Sequence, residues 1–426
     1  MNSNLAAVVM AGGLGTRMRS RTPKHLHPLL GRRMVDWVVE AARAAGAEPI
    51  VVVASPDARD AYDGVGVAVQ DEPLGTGDAV GRAREQLAEA SGDVLVLNGD
   101  VPLLSPDVVR ALVATHREEG AAATVLSFEP PDPRRYGRVV RDGRGSLARI
   151  VEAADATPDE LELREVNSGI YVFRAGSLWP LLDRLQPHNV QGELYVTDTL
   201  GLLVDDGERV AVHVAPDPLE AEGVNTRVEL AEAAAALRDR INEQHMLAGV
   251  TIVDPQSTWI DADVEIEPDV TIQPFTVIRG EVKIAAGAEL GPFAYIRAGT
   301  RLGEGAKIGT FVVVKNSIVG AGAKIPHISY VGDAEIGENT NIAAGNITAN
   351  FPHEPGKPKG RTRIGRNVRT GVDNTFVAPV SVGDDAWLAP GAVITEDVPP
   401  GSLAGFAPRQ TTKEGWVYEK RGKRND

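Results

Sequence analysis

From Ile260 to Val314 an aliphatic residue recurs at every sixth position: Ile260, Ile266, Ile272, Ile278, Ile284, Leu290, Ile296, Leu302, Ile308 and Val314. A helix repeats about every 3.6 residues and a strand every 2, so neither makes a strict six. A triangular coil does. Three short strands close one rung, and one aliphatic side chain per face points into the prism. Hexapeptide repeats of this kind predict a parallel β-helix, and the spacing alone leaves its hand open.

The register slips after Val314, resumes as Val319, Ile325 and Val331, and resumes again as Ile336 and Ile342. A last stretch carries Ile364, Phe376, Val382, Leu388 and Ile394, with Thr370 in the one off-type slot. The interruptions near residues 315–330 and 349–363 predict bulges or extruded loops, which solenoids use as binding surface. The sixfold aliphatics themselves are core and carry no chemistry.

A chain of 426 residues with 43% hydrophobic content exceeds one domain and has a sizeable core available. Its net charge of −15 argues against binding nucleic acid or a membrane surface through bulk charge. The basic run Lys420–Arg424 reads as a solvated tail. Without cysteine there is no disulfide framework and no thiolate nucleophile or metal ligand. The chain enters directly into an apolar stretch, Ala6–Met10, and contains no run of 18 apolar residues. The expectation is a cytoplasmic protein without a signal peptide or membrane span.

The N-terminal half has a different texture. Leu5–Met10, Pro49–Ala54, Val65–Val69, Val94–Leu97 and Ala122–Phe128 read as buried strands. Met34–Ala45, Asp78–Ala90 and Pro106–Glu118 read as helices. That alternation predicts βαβ units and a mostly parallel, Rossmann-like sheet of an α/β domain, with ligands at the carboxyl ends of the strands. A helix over Val228–Met246 leads to the solenoid. The expected limits are 1–226 for the α/β domain, 227–249 for a helical linker and 250–426 for the solenoid and tail.

The first strand runs into Met10-Ala11-Gly12-Gly13-Leu14-Gly15-Thr16-Arg17-Met18, then Pro23-Lys24. Glycines let the backbone approach a triphosphate, and Arg17 and Lys24 supply cations. A tight strand–helix connection would use the same glycines. The pattern is neither a Walker A loop nor the dinucleotide fingerprint.

The full pattern resembles the signature of sugar-1-phosphate nucleotidylyltransferases. Further landmarks follow in that family's order: Gln70 with Leu74-Gly75-Thr76-Gly77, Asn98-Gly99-Asp100, Tyr136-Gly137-Arg138, Ile150-Val151-Glu152, Val166-Asn167-Ser168-Gly169 and Glu222-Gly223-Val224-Asn225. With the solenoid behind them, residues 5–415 resemble the bifunctional N-acetylglucosamine-1-phosphate uridyltransferase / glucosamine-1-phosphate acetyltransferase (GlmU) family. The resemblance implies a left-handed β-helix. It also implies UTP as substrate, with Met10, Ala11, Gly12, Gly13, Lys24, Gln70, Gly75, Thr76, Gly137, Glu152, Asn167 and Asn225 binding nucleotide and sugar. Mg²⁺ would be held by Asp100 and Asn225, and Arg17 and Lys24 would stabilise transition-state charge. Each landmark also has a structural reading: Asp100 as a turn residue, Asn225 as the N-cap of the Val228–Met246 helix, Glu152 and Asn167 as strand residues.

The solenoid carries a second set, clustered at the register slip. Arg297, Lys315, His327, Tyr330 and Asn341 match the acetyltransferase half of the family. By that resemblance Arg297, Lys315, Tyr330 and Asn341 hold the sugar phosphate, and Ala344, Asn350 and Phe351 contact acetyl-CoA. His327 is then the general base, which suits an amine that loses its proton as it attacks a thioester. A lone histidine in a coil is otherwise a structural hydrogen-bonder.

The acetyl-CoA part departs from the family. Phe351 replaces a Tyr, Val372 a Ser, Pro390 an Ala, and Ala407 an Arg. The stretch Phe351–Arg361 is longer than usual and rich in Pro, Gly and Lys, with Lys357, Lys359 and Arg361 as substitute cations. Two alternatives follow: a single-function nucleotidylyltransferase with an oligomerising solenoid, or a non-catalytic regulator built from the same folds. The resemblance further implies a homotrimer acting on small molecules.

Overall fold

The computed structural model describes residues 5–13, 15–133, 136–187, 189–352, 354, 356–405 and 410–421. Contacts divide the chain into two units, Met1–Leu237 and Arg238–Asp426, and the division falls within the helix Arg227–Leu247.

In the first unit the described residues form a nine-stranded sheet. Its main path runs Val210–Val214, Ala123–Phe128, Val166–Arg174, Asp93–Asn98, Leu5–Ala11, Ile50–Ala54 and Gly66–Val69. All neighbours are parallel except at Val166–Arg174, which runs antiparallel to both strands beside it. The expected strands are therefore present, in a Rossmann-like order. The strand Leu5–Ala11 explains why it reads as one apolar run: every residue is buried. Leu5, Ala7, Val9 and Ala11 face one core with the helices Met34–Ala44 and Pro106–Glu118. Ala6, Val8 and Met10 face a second core with Thr76–Arg82 and Ala175–Leu182. A strand covered on both faces loses its polar alternation.

One helix is shorter than expected. The stretch Asp78–Ala90 is α-helical only as part of Thr76–Arg82. Beyond it Ala83 and Arg84 donate to Val80 and Gly81, three residues back, at 3.1 Å each, and the chain tightens into turns.

The second unit is the left-handed parallel β-helix. Its short strands stack into three faces, with equivalent residues 18 apart: Ile272, Leu290 and Ile308 on one, Ile278, Ile296 and Val314 on the next, Ile266, Ile284 and Leu302 on the third. Nine of the ten aliphatics from Ile260 to Val314 are buried, and Ile266, near the start, is half-buried. Burying one such side chain contributes about 1.5–3 kcal/mol.

The two interruptions behave differently. Near 315–330 no loop is extruded. The coil loses one residue, so Val314 pairs with Val331 and Leu302 with Val319, each 17 apart. A second one-residue loss puts Ile336 17 after Val319. Near 349–363 the chain leaves the coil, and Ile336 pairs next with Ile364. Thr348 takes the inward slot there, pairing with Phe376, and its hydroxyl accepts from the amide of Gly332 at 2.8 Å. Inward Thr370 likewise accepts from the amide of Ala343 at 2.8 Å. A buried hydroxyl holds its place where it satisfies a backbone group.

Candidate active sites

The carboxyl ends of the first unit's strands surround a cavity of about 400 Å³. Met10, Thr76, Asp100, Gly137, Glu152, Asn167 and Asn225 line it, so seven of the sequence-derived positions converge from separate stretches of chain. Ala11, Gly12, Gly13, Arg17, Lys24, Gln70 and Gly75 lie outside its lining. Leu14 lies outside the described residues.

The glycines of the first turn are needed sterically. A Cβ on Gly12 would sit 2.9 Å from the side-chain oxygen of Gln70, and one on Gly15, at φ +57°, would sit 2.6 Å from Cβ of Lys24. Gln70 donates from Nε2 to the carbonyl of Gly75 at 3.0 Å and to Asp78 at 2.9 Å. Gly75 has φ +117°, and a Cβ there would collide with the Leu194 carbonyl. Leu194 accepts from Gly77 at 2.7 Å, and Thr76 Oγ1 accepts from the Val196 amide at 3.0 Å. The Gln70–Gly77 stretch is thus clamped against residues 194–196.

Lys24 is the electrostatic centre. It is buried, its ammonium donates to the Asp100 carboxylate, and it donates to Oδ1 of Asn225 at 3.1 Å. Arg17 donates to the same Oδ1 at 3.0 Å. The backbones of the two oxygen donors are joined, Val224 giving its amide to Asp100 O at 2.8 Å. Burial pushes Asp100 up, but the charge of Lys24, then that of His25 and the lysine hydrogen bond, hold its carboxyl below the ordinary range. His25 is lowered to about 4, mainly by burial, with Asp100 opposing and Lys24 reinforcing the shift.

The N-cap reading of Asn225 is displaced by its neighbour. Thr226 Oγ1 accepts from the Glu229 amide at 3.2 Å, and Glu229 accepts from the Thr226 amide at 3.0 Å. This is a capping box, and its Thr-x-x-Glu signature is the signal that finds it in the sequence. Glu229 also accepts from the Asn225 amide at 2.6 Å, leaving Oδ1 of Asn225 to the cations.

Of the cavity residues, Tyr171 and Tyr195 receive no role from the sequence, whereas Tyr136 and Asn98 fall inside its landmark stretches. Tyr136 accepts from the Gly223 amide at 3.3 Å, and Tyr171 receives Nδ2 of Asn167 at 2.8 Å. Asn98 donates to Ser168 O at 3.0 Å. Burial raises Glu152, the Thr197 hydroxyl partly offsets this, and Asp198 and Asp155 add to it. Tyr195 is pushed up to about 12 by burial and by Glu193, Glu152, Asp155 and Asp198. Tyr171 and Tyr195 lie in no landmark stretch, so the sequence holds no specific signal for them.

In the second unit the residue is lost between Val314 and Val319, and the next prism corner, at Ile328, keeps the six-residue spacing. Lys324–His327 ends one face, Ile328 turns at φ +37°, and Tyr330 begins the next. Arg297 and Lys315 hold the same register position on adjacent rungs, one residue after the paired Ile296 and Val314. The Tyr330 ring lies over Gly332, where a Cβ would collide with its hydroxyl. Asn341 bridges Lys324 and Arg369 in the ladder. Arg297, Lys315 and Lys359 lie close enough that the other two cations, Lys359 first, lower Lys315.

The corner also gathers the departures. The amides of Ile328, Gly345, Asp373 and Gly391 donate to Thr310, Ile328, Ala344 and Val372 at 2.8–3.0 Å. Each of the four donors has positive φ, so His327, Ala344, Val372 and Pro390, one residue earlier, form one column. Asn350 is buried, whereas Phe351 is exposed with the Lys359 ammonium 5.8 Å from its ring centroid. Ala407 lies outside the described residues.

Comparison with known proteins agrees with both halves. Residues 7–188 match the family model of the MobA-like NTP transferase domain. The chain is 45% identical over 460 residues to "Bifunctional protein GlmU" of Thermobifida fusca, covering 98% of this chain and 94% of that protein. The protein of the same name from Caldanaerobacter subterraneus is 42% identical, covering 98% of each chain. That from Mycobacterium bovis is 43% identical, covering 98% of this chain and 92% of its own. With identity at this level along almost the whole of both chains, this protein belongs to the bifunctional GlmU family.

Proposed function

We propose that the protein makes UDP-N-acetylglucosamine in two steps, one on each unit. Residues 250–426 acetylate glucosamine-1-phosphate with acetyl-CoA. Residues 1–226 then transfer uridylyl from UTP to N-acetylglucosamine-1-phosphate and release pyrophosphate, with 227–249 as the linker. The observation that carries this reading is the meeting of Lys24, Asp100 and Asn225 at the cavity, from three distant points of the chain.

For uridylyl transfer, the backbone amides of Gly12 and Gly13 and the cations of Arg17 and Lys24 receive the triphosphate. Gln70, Gly75 and Thr76 bound the base, while Gly137, Glu152 and Asn167 bound the sugar. The sugar phosphate attacks the α-phosphorus in line, and the work of the site is positioning and charge stabilisation. Asp100 and Asn225 fit a hard divalent cation: both offer oxygen, and the lysine ammonium already sits between them as a cation would. Among the described residues no group of three or more His, Cys, Asp or Glu forms a cage. Mg²⁺ takes one or two protein ligands plus substrate phosphates, so a pair suffices. When bound there, the ion neutralises charge developing on the phosphates.

For acetyl transfer, Arg297 and Lys315 pair with the phosphate of glucosamine-1-phosphate, and Tyr330 and Asn341 complete its site. His327 takes the proton that the amine loses as it attacks the thioester carbonyl, and the thiol of coenzyme A leaves. Ala344, Asn350 and Phe351 flank the acyl donor, next to the column holding Val372 and Pro390.

A homotrimer is part of the proposal. Phe275, Phe293 and Phe311 are exposed, and their rings stack at 4.9 and 5.1 Å along one edge. Apolar ladders of this kind favour burial by another chain. No described helix is long and apolar enough to cross a membrane, in keeping with a cytoplasmic site of action.

One coupled assay tests the reading. Glucosamine-1-phosphate, acetyl-CoA and UTP with Mg²⁺ should yield pyrophosphate and UDP-N-acetylglucosamine. Pyrophosphate release only when N-acetylglucosamine-1-phosphate is supplied, at millimolar acetyl-CoA, reduces the protein to the uridyltransferase alone.

A further inference from the structure

The corner next to Lys315 carries a stack of which the reaction uses only Asn350. Asn316, Asp333 and Asn350 occupy one register position on three successive rungs, 17 residues apart. The carboxylate of Asp333 lies between the two amides. Oδ1 accepts from Nδ2 of Asn316 and Oδ2 from Nδ2 of Asn350. Asp333 is 8% exposed and has φ +50°. A residue other than glycine is uncommon there, and Asp and Asn are the side chains that tolerate it. A glycine would serve the turn alone, so the carboxylate is what the position adds.

Its backbone is engaged as well. The Asp333 amide donates to Lys315 O at 3.0 Å, and its carbonyl accepts from Thr362 at 3.3 Å. Thr362 is where the chain re-enters the coil after its excursion, and Asn350 is where it departs. The Gly360 amide closes the neck on Asn350 O at 3.0 Å. Between these points stand Phe351 and Lys359, ammonium over ring, with Lys359 beside Lys315. One residue therefore grips the Lys315 rung, the departure and the return.

We propose that Asp333 is a positioning residue of acetyl transfer: it clamps both ends of the 351–361 excursion and thereby orients Asn350, Phe351 and Lys359 for the acyl donor against the sugar-phosphate cations. The proposal rests on the acetyltransferase reading above. Asp333 touches no reacting atom and acts through Asn350 and the excursion. A charge-assisted bond to each amide is stronger than a neutral one, which suits a clamp at a neck.

Two substitutions in the full chain test it. Asp333→Asn keeps shape and tolerance of the left-handed backbone but turns one amide donor against another. Asp333→Gly keeps the backbone free of strain and removes both acceptors. The KM for acetyl-CoA should rise at least about fivefold in Asp333→Asn and further in Asp333→Gly, with kcat within about threefold. The KM for glucosamine-1-phosphate should stay level or fall, because a negative charge near Lys315 has gone. A fall in kcat with both KM values unchanged is what partial unfolding gives, and it overturns the proposal. So do unchanged constants in both variants.

A second measurement is independent of activity. Trypsin cuts after Lys359 and Arg361 faster the less firmly the excursion is anchored to the coil. Asp333→Gly should speed cleavage there about tenfold or more over the wild type. Equal rates overturn the clamp. Absence of acetyl transfer in the wild type sinks the acetyltransferase reading instead, and the cleavage comparison still decides whether Asp333 holds the neck.

Discussion

The ammonium of Lys24 lies between Asp100 and Asn225, hydrogen-bonded to the carboxylate of the first and 3.1 Å from Oδ1 of the second. A buried carboxylate is tolerable only with such a partner. The same two side chains would hold the proposed divalent cation, and the lysine ammonium neutralises the carboxylate between them.

Asp100→Asn keeps the shape and removes the charge that both cations need. Uridylyl transfer should fall at least about tenfold, equivalent to roughly 1.4 kcal/mol of transition-state stabilisation. Acetyl transfer by the same preparation should hold within about twofold, since its residues all lie beyond residue 296. Pyrophosphate release and free-thiol release, measured side by side, check both. Near-normal uridylyl transfer would mean the metal is held elsewhere.

His327→Ala makes the opposite split. A positioned general base is worth on the order of 10²–10⁴-fold, so acetyl transfer should drop by that much while uridylyl transfer is untouched. Retention of more than about a tenth of the acetyl transfer near neutral pH removes His327 from the role.

Tyr136→Phe deletes the acceptor for the Gly223 amide, two residues before Asn225. The ring should stay packed edge-on to Phe128, 5.0 Å between centroids, so stability should change by only about 1 kcal/mol. The Mg²⁺ concentration for half-maximal uridylyl transfer should rise about threefold or more as the turn loosens. An unchanged Mg²⁺ titration removes Tyr136 from the support of that turn.

The first unit should weaken as pH falls from about 6.5 towards 4. His25 is lowered to about 4, so over that window the unfolded chain binds a proton that the folded chain refuses. Unfolding then gains on folding as pH drops, with a slope of up to about 1.4 kcal/mol per pH unit. Asp100 has the opposite origin and a lower window. Its depressed carboxyl contributes stability above the ordinary carboxylate range, lost only as pH falls through its folded value. Hydrogen exchange on the amides of Leu5–Ala11, corrected for intrinsic rates, reads the unit directly. His25→Gln should flatten the slope between about 6.5 and 4; an identical slope places the proton elsewhere.

The strict six from Ile260 to Val314 determined the solenoid by itself, because every coil needs the same inward aliphatic and no other fold does. The buried strands were equally plain: Leu5–Ala11 is covered on both faces, and an uninterrupted apolar run is what that demands. The order of the landmarks, from Gly12 to Asn225, was sufficient to name a family. Helix ends were less legible, since Gly81 and a run of three-residue hydrogen bonds cut short a stretch whose composition reads as helix to Ala90. The Thr226–Glu229 capping box is a sequence signature, but tertiary structure alone brought the freed oxygen of Asn225 to Arg17 and Lys24, 208 and 201 residues away. It alone put His327, Ala344, Val372 and Pro390 in one column. Their spacings of 17, 28 and 18 residues follow from a lost residue, an extruded excursion and an unbroken rung, and only closing the coil shows which residues then stack. Asp333 was silent in the sequence for the same reason: its partners Asn316 and Asn350 are neighbours only across rungs.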